Sequence, residues 1–306
     1  MNFLRRIITK YTDKQAYAIY KENRREEDLF SRISQVNTQA LDLPCKSGYS
    51  FKHSGNCGDI IYAMPAMLAL TAEPEGADIS LYLQTGRQVP YQNTITHPLG
   101  NVSLNDRMVE MIKPLILSQK RFGCCEKHHE QPVDYDLDVI RDCPLMLDRG
   151  NISRWYFLLF PGYYDLSSPW LSVEPSTVTR DAIVVARSSR YRAPFIDYRF
   201  LQGYPNVYFV GLEDEYIDMR GQIPDMTFLK VTDFLELAEL IAGSRLFIGN
   251  QSFPFAIAEA LKVNRLLEVY YKAPNVVVAG RNGFDFCFQK QFEYLVKTRY
   301  EKGPDL

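Results

Sequence analysis

The sequence lacks two features that would place it in a well-defined class: a hydrophobic run long enough to cross a bilayer, and an excess of charge of one sign. Its 306 residues carry 35 basic and 37 acidic side chains, a formal net charge of −2 with the histidines neutral. A chain so nearly neutral has no electrostatic reason to bind nucleic acid. The apolar part of the first ten residues is too short for a signal peptide. We expect a cytoplasmic protein, and peripheral contact with the inner face of a membrane stays open.

Metal-binding side chains are also scarce. The chain has four histidines and six cysteines and contains no Cys-x₂-Cys pair. Cys124 and Cys125 lie close to His128 and His129 in sequence, but this spacing is more typical of a polar loop than of a metal site. The second half also lacks an Asp-x-Asp pair, the usual device for holding a divalent ion on a diphosphate. We therefore predict no metal site and reduced thiols.

Hydrophobic residues, by contrast, make up 46% of the chain, enough for one large or two ordinary domains. Residues 1–47 are charged, with a thin apolar stripe at helical spacing, and predict a solvated helical arm. A partner-binding or membrane-surface arm is the alternative. Prolines 161, 169 and 175 mark a boundary, so that 48–175 and 176–280 form two domains. Residues 281–306 predict a helix that packs back on either domain.

Each half alternates strands with helices. In the first half, "YSFKH" and "ADISLYL" predict strands, with the helix "IIYAMPAMLAL" between them. "SLNDRMVEMIKPLILS" predicts a helix as far as Pro114, and "YDLDVIRD" predicts a strand. In the second half, "DAIVVARSS", "NVYFVG", "LFIG" and "RLLEVYY" predict buried strands. This order predicts an α/β protein with parallel sheets, and ligands bind such sheets at the carboxyl ends of the strands.

Two short loops stand at such strand ends. The loop "HSGNCGD" brings Gly55 and Gly58 before Asp59, where a helix should begin. Glycines there allow a sharp turn and close approach of the backbone to a ligand. Asp59 is either a helix N-cap or a catalytic group. The loop "GNQSFPF" precedes a second helix, for which Ser252 is a plausible N-cap.

These two regions together resemble a known family. "GDIIYAMPAMLAL" and "LAELIAGSRLFIGNQSFPFAIAEAL" resemble the amino- and carboxy-terminal signatures of the ADP-heptose:lipopolysaccharide heptosyltransferases, in the right order and separation. The resemblance implies a GT-B fold, in which two Rossmann-like domains face each other across a cleft. It implies that the first domain binds a glycan acceptor and the second a sugar nucleotide. It also implies inverting, metal-independent glycosyl transfer without a cofactor, the sugar nucleotide being a substrate.

The resemblance assigns roles to individual residues. Asp59 matches the catalytic aspartate and would accept the proton of the acceptor hydroxyl. Gly55, Asn56 and Gly58 form the acceptor loop. The candidates for donor binding, by charge or by backbone N–H groups, are Arg187, Arg190, Arg192, Gly249, Asn250, Gln251, Ser252 and Glu259. A solvated arginine run and a helix-surface glutamate are the structural alternatives for the charged members of this set.

The second motif departs from the family pattern. Where the family continues Gly-Asn-Asp-Ser-Gly-Pro-Met-His, this chain has Gln251, Phe253 and Ala256 in place of the aspartate, the second glycine and the histidine. A non-catalytic scaffold that binds a nucleotide or glycan is therefore the alternative function, and an epimerase or hydrolase is a third. Trp155 and Trp170 predict a hydrophobic bridge between domains, or an aromatic platform for a sugar.

Overall fold

A computed structural model describes residues 3–41, 45–72, 76–89, 99–143 and 145–302. The chain opens with two helices, α1 (Phe3–Thr12) and α2 (Lys14–Leu41). Asp13 separates them and caps α2 by accepting a hydrogen bond from the backbone N–H of Ala16. The last half of α2 packs on the body of the protein, where Arg32 Nη1 donates to the carbonyl of Asp142 at 2.9 Å. No helix in the described part of the chain is long and apolar enough to span a bilayer.

The first half builds a four-stranded, all-parallel sheet in the order β3-β2-β1-β4. Its elements, in chain order, are β1 (Gly48–His53), α3 (Cys57–Leu70), β2 (Asp78–Leu83), α4 (Asp106–Leu117), β3 (Phe122–Lys127), β4 (Tyr135–Asp136), α5 (Val139–Asp142) and α6 (Ile152–Leu159). β1 alternates buried and half-buried side chains and is flanked on both sides by neighbouring strands.

Two elements of this half end at residues other than those predicted. α4 does not stop at Pro114 but runs on to Leu117, because Leu115 and Ile116 are fully buried and their packing outweighs the missing N–H of the proline. The segment predicted as the strand "YDLDVIRD" pairs only over Tyr135–Asp136. Asp136 then accepts a hydrogen bond from the backbone N–H of Asp138, which turns the chain into the short helix α5.

The second half builds a six-stranded, all-parallel sheet in the order β10-β9-β8-β5-β6-β7. Its elements are β5 (Ile183–Ala186), a 3₁₀ helix (Arg199–Gly203), β6 (Val207–Phe209), α7 (Glu213–Arg220), β7 (Thr227–Phe228), α8 (Phe234–Gly243), β8 (Leu246–Asn250), α9 (Phe253–Leu261), β9 (Arg265–Glu268), β10 (Gly283–Phe286) and α10 (Gln289–Lys302). The prediction of an α/β protein with parallel sheets is confirmed.

The carboxy-terminal segment contributes a strand as well as a helix. β10 adds to the edge of the second sheet beside β9. Phe292 and Val296 of α10 are fully buried in the core of the second half, with Phe286 stacked on Phe292 at 4.1 Å between ring centroids. The helix therefore packs on the second half, one of the two placements that the sequence left open.

α3 of the first half and α9 of the second pack directly against each other, within one continuous hydrophobic core. Trp170 lies in the connection between the halves. Its indole Nε1 donates to the carbonyl of Ile61 in α3 at 3.0 Å, and its backbone N–H donates to Ala260 in α9 at 3.0 Å. Trp170 is thus a buried bridge between the two halves. Its hydrogen bonds fix the relative position of the two helices whose amino termini approach the site described next.

Candidate functional site

A cavity of about 640 Å³ lies between the two sheets, at the carboxyl ends of their strands. One wall comes from the first half, through the start of α3 and the start of α4. The other comes from the loops that follow β5, β6 and β8. Asp59, Arg190, Ser252 and Phe253, on both predicted loops and the arginine run, line this cavity together. Its place is the edge at which parallel sheets bind ligands.

Asp59 lies inside the first turn of α3, at its third residue, and is not the N-cap. Asn56 occupies the N-cap position and makes no side-chain capping hydrogen bond. Asp59 Oδ2 pairs instead with Arg141 Nη2 at 2.5 Å. The other carboxylate oxygen, Oδ1, has no hydrogen-bond partner among the residues that the structure describes. The carboxylate is therefore held at one oxygen and available at the other.

The ion pair between Asp59 and Arg141 leaves no space for a side chain at Gly55. A Cβ added there would lie 2.0 Å from Arg141 Nη2 and 2.9 Å from Asp59 Oδ2. Its backbone is not in the left-handed region, so the predicted sharp turn is not the reason for glycine at this position. Gly58 lies where α3 meets α9, and an added Cβ would be 3.8 Å from Phe253 Cα. Position 55 therefore has no room for a side chain, whereas the spacing at Gly58 is ordinary van der Waals contact.

The loop before α3 is fastened by buried side chains that the sequence analysis did not single out. The backbone N–H of Gly55 donates to His53 Nδ1 at 3.0 Å, which leaves the ring proton on Nε2, 2.7 Å from the Tyr156 hydroxyl. Burial lowers the pKa of His53 to about 4, so the imidazole is neutral at pH 7. Asp138 Oδ1 accepts from both the backbone N–H and the hydroxyl of Ser54, at 2.8 and 2.7 Å.

Arg141 is itself largely enclosed. Burial alone would lower the pKa of its guanidinium, but Asp59 and neighbouring groups outweigh burial and raise that pKa above its ordinary value. Cys57, the first residue of α3, is also buried. Burial, assisted by the charge of Asp59, raises the pKa of this thiol to about 12, so Cys57 is not a thiolate nucleophile at neutral pH.

On the opposite wall, Asn250 is fully buried at the end of β8 and holds the loop after β5. Its Oδ1 accepts from the backbone N–H of Ser188 at 2.9 Å, and its Nδ2 donates to the carbonyls of Ser188 and Arg190 at 2.9 and 2.5 Å. Neither Asn250 nor Gly249 lines the cavity. Both adopt extended conformations within β8, so the structure places them behind the wall rather than at the predicted donor contact.

The three arginines after β5 differ in what they contact. Arg187 is buried and forms a bidentate ion pair with Glu268, at 2.8 and 2.9 Å. Arg192 pairs with Asp218 at 2.5 Å. Arg190 forms no ion pair with any described residue, and its Nε is buried without a hydrogen-bond partner in that part of the chain. Of the predicted cations, Arg190 alone thus brings an uncompensated charge to the cavity wall.

Arg190 is followed by a strained residue. Tyr191 has a φ of 54°, in the left-handed region that non-glycine residues seldom adopt. Burial raises the pKa of the Tyr191 hydroxyl, and the charge of Asp59 on the facing wall adds to the rise.

Of the remaining candidates for donor binding, two line the cavity and one does not. Ser252 is the N-cap of α9 but makes no side-chain capping hydrogen bond, and it lines the cavity. Gln251 also lines it, with its amide bonded to Ala273 and Asn275. Glu259 does not reach the cavity. It is buried farther along α9 and pairs with Arg265 at 2.6 Å, so the predicted contact with a ribose is not supported and Glu259 is structural.

Apolar side chains from the second half complete the wall. Phe253 packs on Phe234 with 4.4 Å between ring centroids, and both line the cavity. Glu215, in the first turn of α7, is buried. It accepts from the backbone N–H groups of Ser189 and Leu212 and so braces the same loop that carries Arg190. Arg190 and the pair of phenylalanines therefore line the same cavity.

Within the described residues, no group of three or more histidine, cysteine, aspartate or glutamate side chains is arranged to hold a metal ion. Cys125 is buried and Cys124 is half-exposed on the neighbouring position of β3, so the two thiols point to opposite faces of the sheet. His128 instead bonds to the carbonyl of Gln131 at 3.0 Å.

Comparison with known proteins gives structural matches only. No protein-family model matches the sequence, and no curated protein matches it. The chain is similar to a glycosyl transferase family 9 protein from Veillonella parvula, with 13% identity and a TM-score of 0.47 over 83% of this chain and 97% of that one. It is similar to the E. coli heptosyltransferase WaaC with ADP, with 11% identity and a TM-score of 0.42 over 83% and 99%.

A third similar structure is the dodecameric iron-containing heptosyltransferase TibC in complex with ADP-D-beta-D-heptose. Identity is 12% and the TM-score 0.47, over 79% of this chain and 63% of that one. WaaC and TibC are both heptosyltransferases, the family that the two sequence motifs resemble.

Proposed function

We propose that the protein is a glycosyltransferase of the GT-B type, which moves a sugar from a nucleoside-diphosphate donor to a hydroxyl of a glycan acceptor. The proposal rests on one observation: a carboxylate and a cation lie on opposite walls of the same cavity. A carboxylate, Asp59, stands on the wall of the first half, and an uncompensated cation, Arg190, stands on the wall of the second. Inverting transfer needs this arrangement, with a base on one face of the sugar and an anion-binding group on the other.

In this mechanism, Asp59 Oδ1 accepts the acceptor proton as the hydroxyl oxygen attacks the anomeric carbon. The bond from that carbon to the diphosphate oxygen breaks on the opposite face, and its electron pair leaves with the diphosphate. Arg190 and the amino terminus of α9, where the Ser252 side chain leaves the first turn uncapped, stabilise the developing charge. Because protein groups stabilise the negative charge of the leaving diphosphate, we propose that transfer requires neither a metal ion nor a cofactor.

Arg141 acts in this scheme as a positioning residue. It holds Oδ2 at 2.5 Å, so that the carboxylate has one orientation and presents Oδ1 to the acceptor. Gly55 leaves the space that the guanidinium needs. The acceptor thus meets an ordered base on a rigid helix, which lowers the entropic part of the barrier.

A non-catalytic scaffold is the second candidate, favoured by Phe253. The family has glycine at this position, which lets a phosphate approach the backbone, whereas here a phenylalanine ring packs on Phe234 at the cavity wall. Such a wall could stack on a nucleotide base without placing its diphosphate for transfer.

A binding and turnover panel separates the two candidates. Thermal shifts of the purified chain are measured with nucleoside diphosphates and their sugar derivatives, and the binders are then incubated with glycan acceptors, with and without EDTA. The transferase predicts stabilisation, release of nucleoside diphosphate and an EDTA-insensitive rate. Binding without consumption would favour the scaffold, and the absence of any stabilisation would contradict both. Strict dependence on Mg²⁺ or Mn²⁺ would contradict the proposed metal-free stabilisation of the diphosphate.

A further inference from the structure

α1 has an apolar face that the rest of the protein leaves uncovered. None of its ten residues, all within the described range 3–41, is buried. The five large apolar side chains at positions 3, 4, 7, 8 and 11 fall on one side of the helix, and the most exposed, Tyr11, has 76% of its surface accessible. An exposed apolar face of this kind marks an interaction surface rather than a solvated helix.

The charge on α1 has one sign. Its three charged residues, Arg5, Arg6 and Lys10, are all basic, and the first acidic residue of the chain, Asp13, lies beyond the helix. At 100° per residue, Arg5 borders the apolar face on one side, and Arg6 and Lys10 border it on the other. Basic residues flanking an apolar face are the pattern of helices that lie in the interface of an anionic bilayer.

We propose that α1 binds the surface of an anionic lipid bilayer, with its apolar face inserted at the headgroup boundary. Pairing with α1 of a second copy fits less well, because it would bring two sets of three cations together. The inference does not depend on the proposed transfer reaction.

α2 connects the proposed membrane-binding helix α1 to the half of the protein that carries Asp59. The last half of α2 docks on the first half of the protein through Leu29, Ile33 and Val36, and through the hydrogen bond from Arg32 to Asp142. Asp142 directly follows Arg141, the partner of Asp59. An anchored α1 would therefore tether the protein to a bilayer through the half that carries Asp59.

Flotation of the full chain with lipid vesicles tests the proposal. The probes are vesicles of phosphatidylcholine alone and of phosphatidylcholine mixed with phosphatidylglycerol. We expect the protein to float with the anionic vesicles and to bind neutral ones at least about tenfold more weakly, since the three basic residues are attracted to an anionic surface. Leu4→Glu with Ile8→Glu should abolish flotation without lowering the melting temperature, because neither residue is buried.

Phe30→Glu is the matched control, since Phe30 is 70% exposed on α2 but lies outside α1. It should float as the wild type does. Failure of the wild type to bind anionic vesicles would overturn the proposal, and so would continued binding by the Leu4→Glu, Ile8→Glu variant. A wild-type dimer in sedimentation equilibrium that the same variant converts to a monomer, without vesicle binding, would identify a second copy as the occupant and overturn it equally.

Discussion

At the scale of single residues, the site depends on buried polar groups whose charge states the fold dictates. His53 is the clearest case, since its ring holds the backbone of Gly55 through Nδ1 and the hydroxyl of Tyr156 through Nε2. Only the neutral imidazole can accept at Nδ1 while donating at Nε2. The geometry beside Asp59 therefore requires His53 to stay unprotonated.

This requirement predicts a pH dependence of stability. The unfolded chain takes up the His53 proton near pH 6.5, whereas burial delays protonation of the folded state to about pH 4. Between these values the unfolded state binds more protons, so the free energy of unfolding falls as the pH drops, by about 3 kcal/mol in total from this group. Urea unfolding from pH 7.5 to 4.5 measures the slope.

His53→Gln should flatten that slope, because glutamine does not titrate. His129→Gln, at an exposed position, is the control and should leave the slope unchanged. An equally steep slope in wild type and His53→Gln would show that His53 is not the group responsible.

At the scale of elements, β8 and the loop after β5 act as one unit. Asn250 at the end of β8 bonds to Ser188 and Arg190, and Glu215 in α7 braces Ser189. The sequence motif singled out Asn250 as a candidate for donor binding, and in the structure its side chain bonds within the protein. The side chain shapes the loop that presents Arg190.

Two variants test this coupling. Arg190→Gln should weaken binding of a nucleoside diphosphate about tenfold to a hundredfold, the loss of one charge-assisted hydrogen bond. Asn250→Asp should also weaken binding, because its carboxylate would face the carbonyls of Ser188 and Arg190. Since both substitutions act through the side chain of Arg190, the double variant should lose less binding free energy than the sum of the losses in the two single variants.

Calorimetric titration gives the three affinities. Arg199→Gln is the control, because Arg199 is exposed and paired with Asp197 outside the cavity, and its affinity should match the wild type. Strictly additive losses would show that Asn250 does not act through Arg190.

At the scale of the whole molecule, the sequence predicts the parallel sheets and the position of both loops at strand ends, because strand runs and strand ends are local patterns. It does not predict the ion pair of Asp59 with Arg141 or that of Arg187 with Glu268, whose partners lie about eighty residues apart. No local period encodes such pairs, since they arise only when strand order brings distant loops together. A buried arginine therefore could not be told from a ligand-binding one before the fold was known.

The central claim is that the cavity between the two sheets transfers a sugar with Asp59 as the base. The most direct test is the initial rate of nucleoside-diphosphate release by Asp59→Asn, measured with a donor and acceptor that the wild type consumes. Asparagine can still accept from Arg141 but cannot take up the proton. We predict a rate about 10²–10⁴-fold lower, with unchanged donor affinity and a folded protein at the assay temperature.

Asp142→Asn, which alters an exposed carboxylate near Arg141, should retain the wild-type rate. An Asp59→Asn protein that releases nucleoside diphosphate at the wild-type rate would contradict the account.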